Sequence, residues 1–445
     1  MTMNCGLKIR VAISLIVTVV FATTTRAITL ENQDNNFDRW MYPFNSTPGN
    51  RASASMFAAF DAPDFDERDG QIILGWNTAS LGFPTQLGPS DYSIISAQVV
   101  ATVDRHLVFA YDPTYDVYAS YVDGDIDADP GRPLELHGVA TRNGYTLGFS
   151  DPTDFAEGGP FQDVRSGNYF EMRNLFASDF DGGLPRDISN NVDLGNDGAS
   201  GFDPNPWSIG QALGVMPGDD VPINTDYVFE LDLSNEDVVS YMQEQLNEGH
   251  LFFAASSLQD GGSQGNPAIP AFFSNTSFGS LGPIARLSLD VRIFRNWQNT
   301  QESGSWSDTT RWNAPDGSPQ PYWDARLSNV APLSDQTALI TSNTMVNSVE
   351  VSAAGEFSLQ IAAGANLAVT DQFTAFAGGI VSGSGTITGD LFIEGGLVSP
   401  GDEASSVVVS SLTAGSAIPE PQSAAILLMG FLLCISLPRA IRQGE

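Results

Sequence analysis

The sequence predicts an all-β protein: an antiparallel, jelly-roll-like β-sandwich with one short helix, followed by a short parallel β-solenoid, with helical signal and tail segments at the ends. Two observations carry this prediction. From residue 28 to 298, short apolar segments with period-two alternation are separated by turn clusters rich in Asp, Asn, Gly and Pro. From residue 299 to 407 the segments are shorter, Gly and Ser separate them, and arginine is almost absent. We therefore place a domain boundary between residues 298 and 299.

The first 27 residues have the organisation of a secretory signal peptide. Lys8 and Arg10 form a basic amino-terminal region, Val11–Ala22 form an apolar helix, and Thr25–Ala27 form a small-residue cleavage site. An uncleaved membrane anchor is the alternative interpretation. Both interpretations place the domains that follow outside the cytoplasm.

Four segments of the first domain illustrate the strand pattern. Period-two alternation of apolar side chains dominates in them, so that one face of a sheet can be buried. The segments are Gln71–Trp76, Ala97–Val103, Tyr227–Leu233 and Ala285–Val291. Many such strands with turns at short intervals favour an antiparallel sandwich of the jelly-roll type.

One segment of the same domain has the pattern of an α-helix. Ser234 or Asn235 can cap its first turn, and Gly249 can end it in a left-handed conformation. Apolar side chains recur on one face of this helix, at Val238, Val239, Met242 and Leu246.

Three motifs of the first domain resemble the DNRLRE-type jelly-roll domains of surface proteins. They are Asp34–Asn36 with the aromatic loop that follows, Ile94–Val99, and Phe229–Leu233 running into the helix. The resemblance implies a surface location, and some domains of this type bind polysaccharide. The segment 151–222 has no counterpart in such a simple module.

The second domain, residues 299–407, contains three loosely repeated segments with Gly at the turns. They are Ile361–Val369, Gly378–Ile387 and Leu391–Gly401. Short strands of this kind cannot bury their apolar sides alone, so successive coils must stack. The segments resemble autotransporter-associated β-solenoid repeats of adhesin-like proteins, and a small Gly-rich β-sandwich is the alternative.

The carboxyl-terminal residues read as a sorting signal. A flexible linker, residues 408–417, precedes a tail, residues 418–445. The tail joins Pro419, Glu420 and Pro421 to an apolar helix that is marginal in length for a permanent anchor, and it ends with Arg439 and Arg442. This order resembles the PEP-CTERM sorting tail. The resemblance implies recognition by an exosortase, cleavage near the Pro-Glu-Pro motif, and a transient membrane anchor; an ordinary stop-transfer helix is the alternative.

Composition restricts the partners of the exported domains. The formal net charge is −34, and Lys8, the only lysine, belongs to the signal peptide. A strongly anionic surface disfavours nucleic acid and anionic membranes as partners. Both cysteines, Cys5 and Cys434, lie in the signal and tail, so the domains between them contain no disulfide or thiol ligand. The acid excess favours solubility in a saline medium, and divalent-cation binding is the alternative.

The densest acidic cluster is the one candidate metal site. Asp123, Asp125, Asp127 and Asp129 alternate along a short loop and could gather around one Ca²⁺ ion. The spacing is not that of an EF-hand, because Glu135 is out of register for the last ligand. A solvated acidic turn is the alternative. A second and weaker cluster contains Asp61, Asp64, Asp66, Glu67 and Asp69.

We assign no catalytic or cofactor-binding residue from the sequence. His106, His137 and His250 are far apart and lack the spacing of zinc ligands. A glycosidase needs only two carboxylates, which so acidic a chain always offers.

The aromatic residues give a second type of candidate site. Trp40, Tyr42, Phe44 and Trp76 lie near asparagines in the sequence and could stack on sugar rings. The same residues, and the remaining tryptophans, could instead be part of the core.

These observations favour an exported, non-catalytic cell-surface or extracellular-matrix protein that is sorted by its tail. The alternative is a carbohydrate-binding protein that acts on extracellular polysaccharide, and a glycan hydrolase or lyase is the second alternative. The expected partners are an exosortase-type processing enzyme and polysaccharide, with contact to the membrane through the tail before processing. No cofactor is expected apart from Ca²⁺ at the acidic loop.

Overall fold

The all-β prediction is confirmed by the structure, a computed structural model, in which strands predominate and the helices are few and short. Its description covers residues 28–42, 49, 52–59, 67–122, 130–142, 144–149, 174–192, 201–261, 269–274, 284–298, 303–313, 320–321, 323–329, 336–353, 356–400 and 411–414. The predicted signal peptide and sorting tail lie outside these residues.

The first part of the chain forms two large antiparallel sheets and a third sheet of two strands, β13-β3. Its strands are β1 (Ile28–Asp34), β2 (Phe37–Met41), β3 (Ser53–Ser55), β4 (Gln71–Trp76), β5 (Tyr92–Thr102), β6 (Leu134–Thr141), β7 (Leu175–Asp181), β8 (Leu184–Asp187), β9 (Ser208–Ile209), β10 (Gln211–Ala212), β11 (Asp226–Glu230), β12 (Leu251–Ser257), β13 (Ala271–Phe273) and β14 (Arg286–Asn296). The first sheet has the order β10-β11-β5-β14, and the second has the order β2-β4-β12-β6-β7-β8. Antiparallel partners such as β5 and β14 are distant in sequence, as a sandwich requires.

The main core lies between these two sheets. Alternation along β4, β6 and β12 points Trp76, Leu136 and Phe253 inward, and β5 and β14 contribute Val99 and Leu289. Each of these side chains is almost fully buried. Burial of side chains of this size stabilises the fold by about 1.5–3 kcal/mol each before the entropy cost of folding is counted.

The long helix α2 (Glu236–Glu248) begins and ends where the sequence predicts. The side chain of Asn235 accepts a hydrogen bond from the backbone N–H of Asp237 at 2.9 Å, and Gly249 ends the helix with a φ of 89°. Val238 and Met242 are buried on the face that packs against β5 and β12, whereas Val239 is only half-buried.

A second helix, α1 (Tyr118–Val122), was not predicted. Five residues are too few to show a helical period, and the flanking Asp-rich segments read as turns.

The later part of the chain forms two parallel sheets. Its strands are β15 (Gly304–Ser305), β16 (Asp324–Asn329), β17 (Gln336–Ile340), β18 (Thr344–Val346), β19 (Ser348–Ala353), β20 (Phe357–Ile361), β21 (Asn366–Phe376), β22 (Gly379–Gly383), β23 (Thr386–Glu394), β24 (Leu397–Pro400) and β25 (Ser411–Ala414). The chain alternates between the sheet β15-β17-β20-β22-β24 and the series β16-β19-β21-β23-β25. Neighbouring strands of a sheet are about one coil apart, as Asp324 and Ser348 show with a separation of 24 residues.

A second core lies between the two parallel sheets. Phe357, Leu359 and Val381 point into it from one side, and Val349 and Phe373 from the other. One end of this core is closed by three tryptophans in edge-to-face contact, Trp297, Trp306 and Trp312.

The strand β14 joins the two parts of the molecule. Its residues up to Ile293 pair antiparallel with β5, and Phe294, Arg295 and Asn296 pair in parallel with β16. The eleven-stranded sheet therefore continues across the predicted domain boundary, although the two apolar cores are separate. The boundary between residues 298 and 299 stays a prediction.

One part of the predicted linker needs a correction. Ser411–Ala414 form the strand β25, which pairs in parallel with β23, and are not a flexible spacer. The outer edge of β23 offers free backbone groups to the next segment, so even a small-residue sequence can pair there.

No helix in the described part of the chain is both long and apolar enough to cross a bilayer.

Candidate functional site on the covered face of the second sheet

The second sheet carries a row of polar residues on the face that points away from the main core. In β6, Leu134 and Leu136 face the core, so Glu135 and His137 must lie on the opposite face. The β12 residue Ser256 is paired with Glu135 and lies on the same face. We call this side of β4, β12 and β6 the covered face, because loops bury it almost completely.

The loops are held on the covered face by hydrogen bonds. The backbone N–H of Arg68 donates to the carbonyl of Ser189 at 2.8 Å. The amide of Gln71 donates to the Ser189 hydroxyl at 2.9 Å and accepts from the backbone N–H of Ala177, also at 2.9 Å. The segments around residues 68 and 189 therefore cover the sheet as one layer.

An ion pair lies at the centre of the covered face. Arg68 Nη2 is 2.8 Å from Glu135 Oε2, and both side chains are only 1% exposed. His137 Nε2 is 3.2 Å from the same carboxylate oxygen. Burial alone would raise the pKa of Glu135, but Arg68 and His137 together outweigh burial, and the pKa lies below its usual range. Glu135 is therefore ionised at neutral pH.

Several polar atoms around this ion pair have no hydrogen-bond partner in the part of the chain that the structure describes. They are Arg68 Nε and Nη1, Glu135 Oε1, His137 Nδ1 and Ser256 Oγ. Each buried polar atom left without a partner costs about 1–3 kcal/mol. Such a concentration of unsatisfied groups marks this face as the strongest candidate for a functional site.

Two tyrosines lie over the ion pair. Tyr121 donates to Asp116 Oδ2 at 3.1 Å, and Arg132 donates to the same oxygen at 2.8 Å. Tyr115 donates to Asp203 Oδ1 at 3.4 Å. Burial first, and then the negative charge of Glu135, raise the pKa of both tyrosines. Both hydroxyls therefore stay protonated and act as donors.

The covered face thus combines guanidinium and phenol donors with a carboxylate acceptor and an imidazole. This chemistry is complementary to a neutral group rich in hydroxyls, since a diol can donate to the carboxylate and accept from the guanidinium. The ion pair is sealed beneath the loops, since both of its side chains are only 1% exposed.

The predicted calcium site lies outside the described residues, which include none of Asp123, Asp125, Asp127 and Asp129. In the ranges that are described, no group of three or more His, Cys, Asp or Glu residues is arranged to hold a metal ion.

The second acidic cluster is described in part, and its two visible members are structural. Glu67 Oε2 accepts a hydrogen bond from the backbone N–H of Val192 at 2.5 Å, which fixes a loop on the covered face. Asp69 is fully buried, and burial raises its pKa well above the usual range.

The three histidines have separate environments. His106 accepts a hydrogen bond from the backbone N–H of Ile223 at 3.4 Å near the surface, whereas His137 belongs to the covered face. His250 packs edge-on against Phe252, and burial lowers its pKa to about 4. Only His137 is therefore part of the candidate site.

The tryptophans are mostly core residues. Six of the seven are buried, and Trp40 alone is half-buried. The ring of Trp40 stacks on Tyr42 with centroids 5.2 Å apart and planes 24° apart. Among the described tryptophans, Trp40 is therefore the one that remains a candidate for stacking on a sugar ring.

An open groove lies at the end of the sandwich, beside the edge strand β10. It has a volume of about 520 Å³ and is lined by Trp207, Ile209, Leu213, Val228 and Glu230. Leu213 is largely exposed there. Unlike the covered face, the groove is accessible to solvent, and it is apolar with an acidic rim.

From the sequence alone, His137 lacked the spacing of a zinc ligand, and Glu135 was out of register for a calcium ligand. The alternation of Leu134, Glu135, Leu136 and His137 places both ionisable groups on one face of a strand, and this signal could have indicated the site. The pairing with Arg68 depends on the fold and has no local signal.

No protein-family model matches the chain, and none of the curated proteins matches it either. The resemblances noted in the sequence therefore remain expectations.

Proposed function

We propose that this chain is an exported, non-catalytic protein of the cell surface or extracellular matrix, sorted by a PEP-CTERM-like tail. An exosortase-type enzyme recognises the Pro-Glu-Pro motif and cleaves near it. The hydrophobic segment of the tail holds the protein at the membrane only until then.

The observation that supports this proposal is the order of the parts along the chain. The two parallel sheets lie between the sandwich and the tail and extend through the series β16-β19-β21-β23-β25. Four steps of about 4.8 Å between paired strands make a spacer roughly 19 Å long. Such a spacer holds the sandwich away from the membrane while the tail is processed.

Fractionation of variants in a bacterium with an exosortase tests the proposal. Glu420→Ala, or deletion of Ala424–Arg442, should change the location and processing of the protein while the β domains stay folded. Glu356→Ala removes an exposed acid just before β20 and is the matched control. Retention and processing of the tail variants like the parent would show that the tail is not a sorting signal.

Polysaccharide binding is the second candidate function, and the unsatisfied polar groups of the covered face favour it. A sugar residue that enters beneath Tyr115 would satisfy Arg68, Glu135 and Ser256 at once. A glycan array on the exported protein, with and without Ca²⁺, tests this function. If the sugar binds at the covered face, Glu135→Gln should abolish binding on the array. If it binds in the open groove, Glu230→Gln should weaken binding instead.

A further inference from the structure

One sheet of the parallel part carries no charge at all. The strands β15, β17, β20, β22 and β24 contain no Asp, Glu, Lys, Arg or His, although the formal net charge of the chain is −34. We call the outward side of this sheet the neutral face. Its central residues are Leu339, Ser358, Gln360, Ile380, Ser382 and Leu397.

The outward side chains of the neutral face form regular rows because its strands are in parallel register. Ser358 pairs with Ile380, which pairs with Leu397, and Leu339, Gln360 and Ser382 form the neighbouring row. The residues between them along each strand, such as Leu359 and Val381, point into the core. The outward side chains are half-buried or exposed, and Leu397 is 57% exposed.

The opposite sheet of the parallel part carries the charges. Arg326 forms an ion pair with Glu350 at 3.0 Å, and Arg292 binds Asp324 and Asp371. The charged groups of the strands are thus confined to one side of the stack, and hydroxyl, amide and aliphatic groups make up the other.

We propose that the neutral face is a self-association surface, and that its occupant is a second copy of this chain. Two molecules with a formal net charge of −34 repel each other over most of their surfaces. The strands of the neutral face present no charge that such an approach would desolvate, and the exposed Glu356 lies at the edge of the face, just before β20. A two-fold axis brings Ile380 and Leu397 of one copy onto the same rows of the other, as two sheets pack face to face.

The area of the neutral face limits the affinity of the dimer. Five strands at about 4.8 Å and about five residues at about 3.3 Å give roughly 400 Å² per copy. Stable dimers bury about 800 Å² per partner, so this association is weak and reversible. Weak contacts of this kind matter where the local concentration is high, as at a cell surface.

We expect salt to strengthen this association. Raising the ionic strength from 0.1 M to 1 M shortens the screening length from about 10 Å to about 3 Å. Screening weakens the repulsion between the acidic bodies and leaves an uncharged contact intact. Salt therefore strengthens the association, whereas it would weaken a contact made of ion pairs.

Sedimentation equilibrium of the exported protein at 0.1 M and 1 M NaCl tests the inference. We expect a monomer at low salt and a concentration-dependent rise in average mass at high salt. Ile380→Asp and, separately, the isosteric Gln360→Glu place like charges across the two-fold axis and should raise the dimer Kd at least tenfold. Thr388→Asp adds the same charge to an exposed position of the opposite sheet and should leave the Kd unchanged.

The result that overturns the inference is a parent that stays monomeric at both salt concentrations, or a Thr388→Asp variant that loses association as fully as the others. The melting temperature of each variant shows whether it is folded, and Gln360→Glu keeps the test valid if Ile380→Asp does not fold. The outcome is independent of the sorting tail, since fractionation and sedimentation measure different properties.

Discussion

The ion pair between Arg68 and Glu135 can be tested by a double-mutant cycle. Arg68→Met leaves a buried carboxylate whose remaining partner is His137, and Glu135→Leu leaves a buried guanidinium without a counter-charge. Breaking a fully buried pair from one side costs about 3–5 kcal/mol, because the remaining charge stays desolvated. We therefore expect each single variant to lose about 3–5 kcal/mol of unfolding free energy.

The double variant Arg68→Met with Glu135→Leu should recover most of that loss. Two apolar side chains of similar volume replace two charges, so the desolvation cost disappears together with the attraction. The pair Arg326 and Glu350 is the matched control, since it has the same chemistry at 3.0 Å but both side chains are 29% exposed. Its single variants should lose less than about 1 kcal/mol.

Urea denaturation, followed by tryptophan fluorescence at pH 7, measures these free energies. The result that refutes the reasoning is a double variant whose loss equals the sum of the two single losses. A loss below about 1 kcal/mol in both single variants would also refute it, because it would show that solvent reaches the pair.

The pH dependence of the same pair has a definite sign. The folded-state pKa of Glu135 lies below its unfolded value, so its stabilising contribution is present above the unfolded pKa. That contribution is lost as the pH falls through the folded-state pKa. Glu135→Gln should therefore flatten the acid limb of the stability curve relative to the parent.

Three further predictions follow from single residues. Burial raises the pKa of Asp91 to about 6, so stability should fall by about 2 kcal/mol as the pH rises from 4 to 7, and Asp91→Asn should remove this slope in urea titrations at several pH values. Gly383→Ala should cost more than about 3 kcal/mol by urea denaturation, because φ is 112° and a Cβ atom would lie 2.1 Å from the carbonyl oxygen of Ile361; Gly364→Ala, where φ is 79° but the space is open, should cost about 1 kcal/mol. Asn235→Ala removes the cap of α2 and should lower the unfolding free energy by about 1 kcal/mol, with an unchanged m-value.

Local patterns predicted the parts of the fold that local chemistry determines. The strand patterns of Gln71–Trp76 and Ala285–Val291 predicted β4 and most of β14, and Asn235 and Gly249 predicted the two ends of α2, because a cap needs only neighbouring residues. The strand β25 was missed because its pairing depends on the free edge of β23.

The candidate site was harder to predict, for a related reason. Glu135 and Arg68 belong to a strand and a loop that approach each other only after the second sheet has formed. Nothing near Arg68 in the sequence indicates a buried partner, since it lies within an acidic segment that reads as solvated. The environment of Asp91 also has no local signal, because its carboxylate accepts hydrogen bonds from Asn296 and Asn313, which lie across the junction between the two parts of the molecule.

The stacked arrangement of the parallel strands also determines how the molecule responds to force. In the proposed arrangement, with the tail held at the membrane, tension would enter the parallel part at β24 and β25. Each coil contacts mainly its neighbours, so the stack can yield one coil at a time from that end. Trp297, Trp306 and Trp312 at the other end, and the shared strand β14, would be the last to unfold. In that arrangement the parallel part would lengthen before the sandwich unfolds.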